Sequence, residues 1–198
     1  GKRRKNLNRK FLAARGDLVD EIKKLAKRKN STLFSLVNDA LEQLLKAEEA
    51  GETLPKIVEK HFFLKTAKEA GFILTPGNLW YSILEKLFKE EDLSLMNLWH
   101  ENGEWFGKYC KTIFPTENFP EFLEKLINTI FWDFSECTVT VNNDEASIRC
   151  IGSRCPKLQT SLLASFISGI MQAYNYKTWK KDVSRGIIAL TFKKEKGE

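Results

Sequence analysis

The chain has 198 residues, of which 42% are apolar and 29% are charged. This balance supports a folded core and excludes an intrinsically disordered chain, and no apolar run approaches the roughly 18 residues that a membrane helix needs. Because residues 1–30 also lack the apolar stretch of a signal peptide, we expect a cytoplasmic protein without a membrane span.

The net charge of +6 is concentrated at one end of the chain. Residues 1–30 hold twelve lysines and arginines and three acids, a net charge of +9, and the other residues together carry −3. A basic end on an ordinary domain indicates a polyanion partner, of which nucleic acid is the commonest, although a charged terminus can also be a solvated tail. The bases expected to contact phosphates first are Lys2, Arg3, Arg4 and Lys5.

Two amphipathic helices are predicted next. Leu18, Ile22 and Leu25 recur at helical spacing, and a second apolar stripe runs over residues 33–45, where Ser31 or Thr32 can cap the helix. Residues 7–14 are predicted to form a short strand before them. A strand and two helices cannot cover two wide apolar stripes, so this segment is expected to dimerise or to pack on another partner.

Residues 7–50 resemble a ribbon-helix-helix DNA-binding module. The matching segments are Gly16-Asp17-Leu18, Ile22 to Ala26, Asn30-Ser31-Thr32 and Leu33 to Leu41. The resemblance implies a β-α-α module over residues 1–50 that forms an intertwined homodimer. It also implies that the paired strands enter the major groove of double-stranded DNA while the start of the second helix clamps a phosphate. The contacts it implies are Arg9, Lys10, Phe11, Ser31 and Thr32. Arg9 is the one conventional base reader among them. A shift of the strand register by one residue would exchange the side chains that face the DNA with those that face away.

Residues 51–71 are predicted to be a helical connector, and residues 72–198 a larger domain. That domain shows helical patterns over residues 79–87, 95–109 and 119–130, then a hairpin pattern over 137–150. A long helix through residues 162–174 and two further strands, at 176–182 and 187–192, complete it. The order predicts an α+β or α/β domain whose antiparallel sheet packs against helices.

This larger domain is similar to the 4-vinyl reductase type of small-molecule-binding domain, which is related in fold to trafficking-complex subunits that hold an acyl chain. The matching segments are Gly103-Glu-Trp-Phe-Gly107, the hairpin around Cys150, and Leu162-x-x-x-Phe166-x-x-Gly169-x-x-x-Ala173. Its aromatic residues are expected either to form core or to line an apolar pocket, and without a converging polar trio the ligand would be hydrophobic. The candidate pocket residues are Trp99, Phe106, Trp132, Phe166 and Met171.

The cysteines allow three interpretations. Cys150 and Cys155 lie close together in sequence, and Cys137 falls on the partner strand. Neither His61 nor His100 stands at a spacing that completes a zinc site, so no metal is expected. The three cysteines could form a redox-sensitive Cys150–Cys155 or Cys137–Cys155 disulfide, or serve as small buried apolar residues.

No motif indicates catalysis or a cofactor, since the chain has no glycine-rich phosphate loop, nucleophile elbow or paired-histidine motif. The sequence therefore predicts a homodimeric DNA-binding transcriptional regulator that is not an enzyme. Its C-terminal domain would sense a hydrophobic small molecule or add a dimer contact. The alternative is an interaction or scaffold protein that uses the N-terminal module for dimerisation and the C-terminal domain to bind a partner protein or lipid.

Overall fold

The structure, a computed structural model, describes residues 10–89, 92–115 and 118–195. The chain forms two compact units, unit 1 over Gly1–Glu59 and unit 2 over Lys60–Glu198. The described residues contain seven helices and a four-stranded antiparallel sheet, which confirms a mixed α+β protein.

Unit 1 is built on helices α1 (Gly16–Arg28) and α2 (Leu33–Glu49). Asp17 in the first turn of α1, and Lys27 and Arg28 in its last turn, match the sign of the helix dipole at each end. Asn30 then adopts the left-handed conformation, with φ of 49°, which asparagine tolerates better than most residues. This turn joins α1 to α2, and the two helices contact each other.

The predicted strand over residues 7–14 is not formed in its described part. Residues 10–15 lead into α1 without forming a strand, so the described part of this segment is built of helices and is not β-α-α. The physical reason is hydrogen bonding, because a ribbon of this kind forms between two chains and an isolated strand has no partner for its backbone groups.

Helix α3 (Leu54–Glu69) begins in the last residues of unit 1 and ends in unit 2. Three further helices follow in unit 2: α4 (Gly77–Leu87), α5 (Leu93–Ile113) and α6 (Phe119–Ile130). Phe72 to Leu74, between α3 and α4, do not form a strand.

The sheet contains β1 (Glu136–Asn142), β2 (Glu145–Ile151), β3 (Tyr176–Ser184) and β4 (Ile187–Lys194), and its order is β1-β2-β4-β3. Helix α7 (Lys157–Ala173) connects the two hairpins. The alternation predicted for the strands is observed, since Ala146, Ile148 and Cys150 on β2 are fully buried. One face of the sheet therefore forms the core of unit 2, with α7, whose side chains are almost all buried.

Helices α5 and α7 pack closely because glycines lie where they cross. A Cβ atom at Gly103 would overlap the backbone of Phe166, and one at Gly169 would overlap the carbonyl of His100. A Cβ at Gly107 would crowd Ala173 in the same way. Two of the three segments that carry the resemblance to the 4-vinyl reductase type thus meet at this crossing.

Helix α6 covers the outer edge of the sheet. The Asn128 side chain donates to the Cys137 carbonyl oxygen at 2.7 Å and accepts from the Cys137 amide at 2.9 Å. Glu124 Oε2 accepts from the Val139 amide at 2.8 Å. These bonds use backbone groups of β1 that would otherwise be available to pair with another chain.

Candidate functional site

The structure describes only part of the segment before α1 in which DNA contacts are predicted. Lys2, Arg3, Arg4, Lys5 and Arg9 lie outside the described residues. Lys10 and Phe11 are described, and both side chains are exposed in front of α1. Their exposure is compatible with contact to a partner.

Each of the three acids in residues 1–30 forms an ion pair on the surface of α1. Arg15 Nη2 lies 2.5 Å from Asp17 Oδ2, Lys23 Nζ lies 3.0 Å from Asp20, and Lys24 Nζ lies 2.6 Å from Glu21. The Arg15 guanidinium lowers the pKa of the Asp17 carboxyl. Since each of these acids already pairs with a nearby base, the excess of positive charge rests on the other lysines and arginines of this segment.

The start of α2 has the geometry of a capped helix. Thr32 Oγ1 accepts a hydrogen bond from the Ser35 amide at 3.1 Å, so Thr32, not Ser31, is the cap. The backbone amides of the first turn still point out of the helix end, where an anion is favoured. This cap places Ser31 and Thr32 at the position where the sequence resemblance implies a phosphate contact.

Unit 2 contains a cavity of about 460 Å³, and every residue that lines it belongs to this unit. That volume is in the usual range for small-molecule sites. The segment after α3, the helices α4 and α5, and α7 contribute most of its wall, and Ile73, Leu98 and Trp105 at the wall are exposed. Its aromatic side chains are Phe72, Trp80, Tyr81, Trp99, Trp105, Phe106 and Phe166.

Two pairs of polar side chains meet in this cavity. The Tyr81 hydroxyl donates to Asp133 Oδ1, and Trp80 Nε1 donates to Gln159 Oε1 at 2.9 Å. Burial, and then the hydrogen bond to Asp133, raise the pKa of Tyr81 well above its ordinary value, so the phenol stays protonated and remains a donor. The cavity is therefore apolar with a small, fixed set of polar groups.

The predicted pocket residues are only partly brought together. Trp99, Phe106 and Phe166 line the cavity. Trp132 is 65% exposed and lies outside the lining, and Met171 is fully buried in the core cluster of unit 2. Spacing along a helix could not separate Met171 from Phe166, because α7 contributes to both the cavity and the core. Trp132 lies in the loop after α6, where helical spacing gives no information.

The polar residues of the cavity were missed by sequence reasoning. Tyr81 and Asp133 are 52 positions apart, and Trp80 and Gln159 are 79 positions apart. No spacing rule joins such residues. One signal was present, since Gln159 is a polar residue in a largely apolar helix, and it is only 4% exposed.

The cysteine pairing differs from both predicted disulfides. Cys137 and Cys150 are directly opposite each other in the β1–β2 register and form the disulfide. Cys155 lies beyond the end of β2, is a free, buried thiol and accepts a hydrogen bond from Thr160 at 3.4 Å. Burial raises the pKa of Cys155 to about 11 and that of Cys110 to about 12. The two free thiols therefore have the character of buried apolar residues.

Metal-binding clusters and membrane-spanning helices are both absent from the described residues. No group of histidine, cysteine and acidic side chains in that part of the chain could hold a metal ion. Of the helices described, none is long and apolar enough to cross a membrane.

Comparisons with known proteins add little to this picture. No protein-family model matches the chain, and no curated protein matches it either. Among solved structures, the chain is similar to one described as "Probing the function of heme distortion in the H-NOX family", with 14% identity and a TM-score of 0.38. The match covers 69% of this chain and 86% of that chain. At this TM-score it carries no argument about the function or the ligand of this protein.

Proposed function

We propose that the chain is a homodimeric DNA-binding regulator whose C-terminal unit takes a small molecule. One observation carries the proposal: the strongly basic segment leads directly into a pair of helices, α1 and α2, that leaves leucines exposed. Leu18 on α1, and Leu41, Leu44 and Leu45 on α2, are all exposed, and Leu45 most of all at 64%. A second copy of this helix pair is the partner that we expect to cover them, because the resemblance to ribbon-helix-helix modules implies a homodimer.

DNA contact in this proposal comes from the basic residues and the start of α2. The excess charge of residues 1–30 supplies the attraction to phosphates, and the exposed amides at the Thr32 cap supply a directional contact. A dimer presents two basic segments and two α2 N-termini to one duplex, which raises its affinity for DNA above that of a single chain.

The cavity of unit 2 supplies the sensing function in this proposal. Ala70, Gly71 and Phe72 follow α3 directly and line the cavity. A ligand that orders these residues would act on the end of a helix whose first residues belong to unit 1. Ligand control of DNA binding then requires that the ligand bind the two functional states with different affinities.

The proposal is tested by the salt dependence of DNA binding. We expect the full chain to bind a labelled duplex with a Kd below about 10 μM at low salt, measured by fluorescence anisotropy. Replacing Lys2, Arg3, Arg4 and Lys5 by alanine should lower the slope of log K against log salt by up to about 3.6, since each phosphate contact contributes about 0.9.

A charge-matched control separates this effect from net charge. The control replaces Lys68, Lys86, Lys89 and Lys177, four exposed lysines of unit 2, by alanine. It should leave the salt slope unchanged. Absence of any binding at low salt, or equal slopes for the two variants, would contradict the assignment of DNA binding to the basic segment.

An interaction or scaffold protein is the second candidate. The observation that favours it is the exposure of Phe11 and Leu12, apolar side chains that make poor contacts to DNA and good contacts to a protein. A chain that dimerises but binds no DNA at low salt would support this candidate over the first.

A further inference from the structure

The cavity of unit 2 combines aromatic rings with a single carboxylate. Rings of Trp80, Trp99 and Trp105 stand in its wall together with those of Phe72, Phe106 and Phe166. Asp133 is the one acidic or basic side chain among the described residues that line it. The walls therefore offer apolar surface and ring faces, and one negative charge.

The Asp133 carboxylate is held in place but keeps capacity to accept more hydrogen bonds. It is half-buried, and the Tyr81 hydroxyl donates to its Oδ1. A carboxylate has about four acceptor positions, so one donor leaves others open to a ligand. Gln159, which is almost fully buried, adds a carbonyl oxygen that already accepts from Trp80 Nε1. Gln159, Thr75 and Asn102 are neutral polar residues of the lining, so the Asp133 carboxylate is its one charged group with open acceptor positions.

Two positive features oppose a cation here, and both are weaker than the carboxylate. The N-terminus of α4 reaches the cavity at Gly77, but a helix end is equivalent to about half a charge and its effect falls off within a turn. Arg154 acts on Tyr81 from outside the lining and is exposed, so solvent screens it. The full charge of Asp133 lies at the cavity itself and sets the sign of its field.

We propose that this cavity binds a lipophilic monocation, meaning an apolar body that carries one protonated amine. The ammonium group donates to the Asp133 carboxylate, and the apolar body packs against the tryptophan and phenylalanine rings. Faces of such rings attract a cation as well, so the aromatic wall and the carboxylate favour the same charge. The proposal rests on the sensing role given above to unit 2, and it replaces a purely hydrophobic ligand by one with a positive head.

The test uses three probes that share one body and differ in the charge of the head: 4-phenylbutylamine, 4-phenylbutanol and 4-phenylbutyrate. Binding to the full chain is followed by calorimetry, and by quenching of the tryptophan fluorescence of Trp80, Trp99 and Trp105. We expect the amine to bind at least about tenfold more tightly than the alcohol, since a hydrogen bond to a charged group contributes more than a neutral one, and the carboxylate to bind weakest. Equal affinities for the three probes would overturn the proposal without any variant being needed.

A pair of variants locates the contact. Asp133→Asn keeps an acceptor for the Tyr81 hydroxyl and removes the charge, so it should weaken binding of the amine about tenfold and leave the alcohol within about twofold. Glu85→Gln removes an exposed carboxylate of α4 that is outside the lining, and it should change neither affinity. An amine affinity that is unchanged in Asp133→Asn would contradict the assignment.

DNA binding by the same preparations separates this inference from the proposed function. If the chain binds DNA but does not prefer the amine, the ligand assignment fails and the regulator remains. If it prefers the amine but binds no DNA, the cavity assignment is supported and the regulator fails.

Discussion

Burial controls the chemistry of individual side chains in unit 2. Tyr174 packs under Phe119, with 4.1 Å between ring centroids, and burial raises its pKa above the ordinary value. Tyr81 has its pKa raised by burial and by the Asp133 hydrogen bond. In both cases the folded chain favours the neutral phenol. At Tyr81 this preference keeps the donor that orients Asp133.

The two tyrosines predict a loss of stability in alkali. Above about pH 10 a tyrosine in the unfolded chain loses its proton, whereas Tyr81 and Tyr174 keep theirs in the folded chain. The unfolded state then binds fewer protons, so the free energy of unfolding falls as the pH rises through this range. Denaturant unfolding at pH 8 and at pH 11 measures how far the free energy of unfolding falls between the two pH values. Tyr81→Phe and Tyr174→Phe should each make this difference smaller. Full ionisation of every tyrosine near pH 10 in a chain that keeps its native circular dichroism would contradict this.

At the scale of elements, the closest packing lies where α5 crosses α7. The backbones approach each other because Gly103, Gly107 and Gly169 carry no side chain at the crossing. This approach brings Trp99 and Phe106 on α5 next to Phe166 on α7, with ring centroids 6.3 Å and 5.9 Å from Phe166. The glycines therefore position one wall of the cavity.

A methyl group at the crossing should destabilise unit 2. In Gly169→Ala the new Cβ would overlap the carbonyl of His100, which is backbone and cannot move aside alone. We expect a loss of about 3 kcal/mol or more in the free energy of unfolding, at the upper end of the range for overpacked cores. The matched control is Gly77→Ala, whose Cβ would meet Tyr81 at an ordinary 3.6 Å. Chemical denaturation of the two variants measures their free energies of unfolding. Equal values would show that α5 and α7 are less tightly packed at Gly169 than these overlaps indicate.

At the scale of the whole molecule, unit 1 lacks a core of its own. Its described residues bury only Ala26 and Ala47 among apolar side chains, and most of its leucines remain exposed. Two helices of this length with so few buried apolar side chains gain too little from burial to be stable alone. We infer that association between two copies stabilises unit 1.

Dimerisation should depend on the leucine face of α2. Full burial of a leucine contributes about 1.5–3 kcal/mol, so Leu41→Gln with Leu45→Gln on each chain should weaken the dimer by well over tenfold. Sedimentation velocity at micromolar concentrations should show a dimer for the parent chain and monomer for this variant. The control, Glu42→Gln with Glu49→Gln, alters polar positions of the same helix and should remain dimeric. A dimer that survives loss of both leucines would place the interface elsewhere.

Local patterns in the sequence determine the elements of this protein. Apolar spacing predicts α1, α2 and α4 to α7, alternation predicts the hairpin of β1 and β2, and the residues before Leu33 predict the cap that Thr32 forms. Each of these depends on neighbours within a few positions, where propensity and periodicity act. The charge of residues 1–30 is likewise a property of sequence alone.

Tertiary structure decides what those local patterns cannot. Strand register pairs Cys137 with Cys150, and the packing of distant elements brings Tyr81 to Asp133 and Trp80 to Gln159. The N-terminal strand, predicted from sequence, is not formed in its described part, because an isolated strand has no partner for its backbone groups. Contacts between distant residues depend on how whole elements pack. The sequence by itself therefore determined the elements and the basic end, and packing determined the cavity and its single charge.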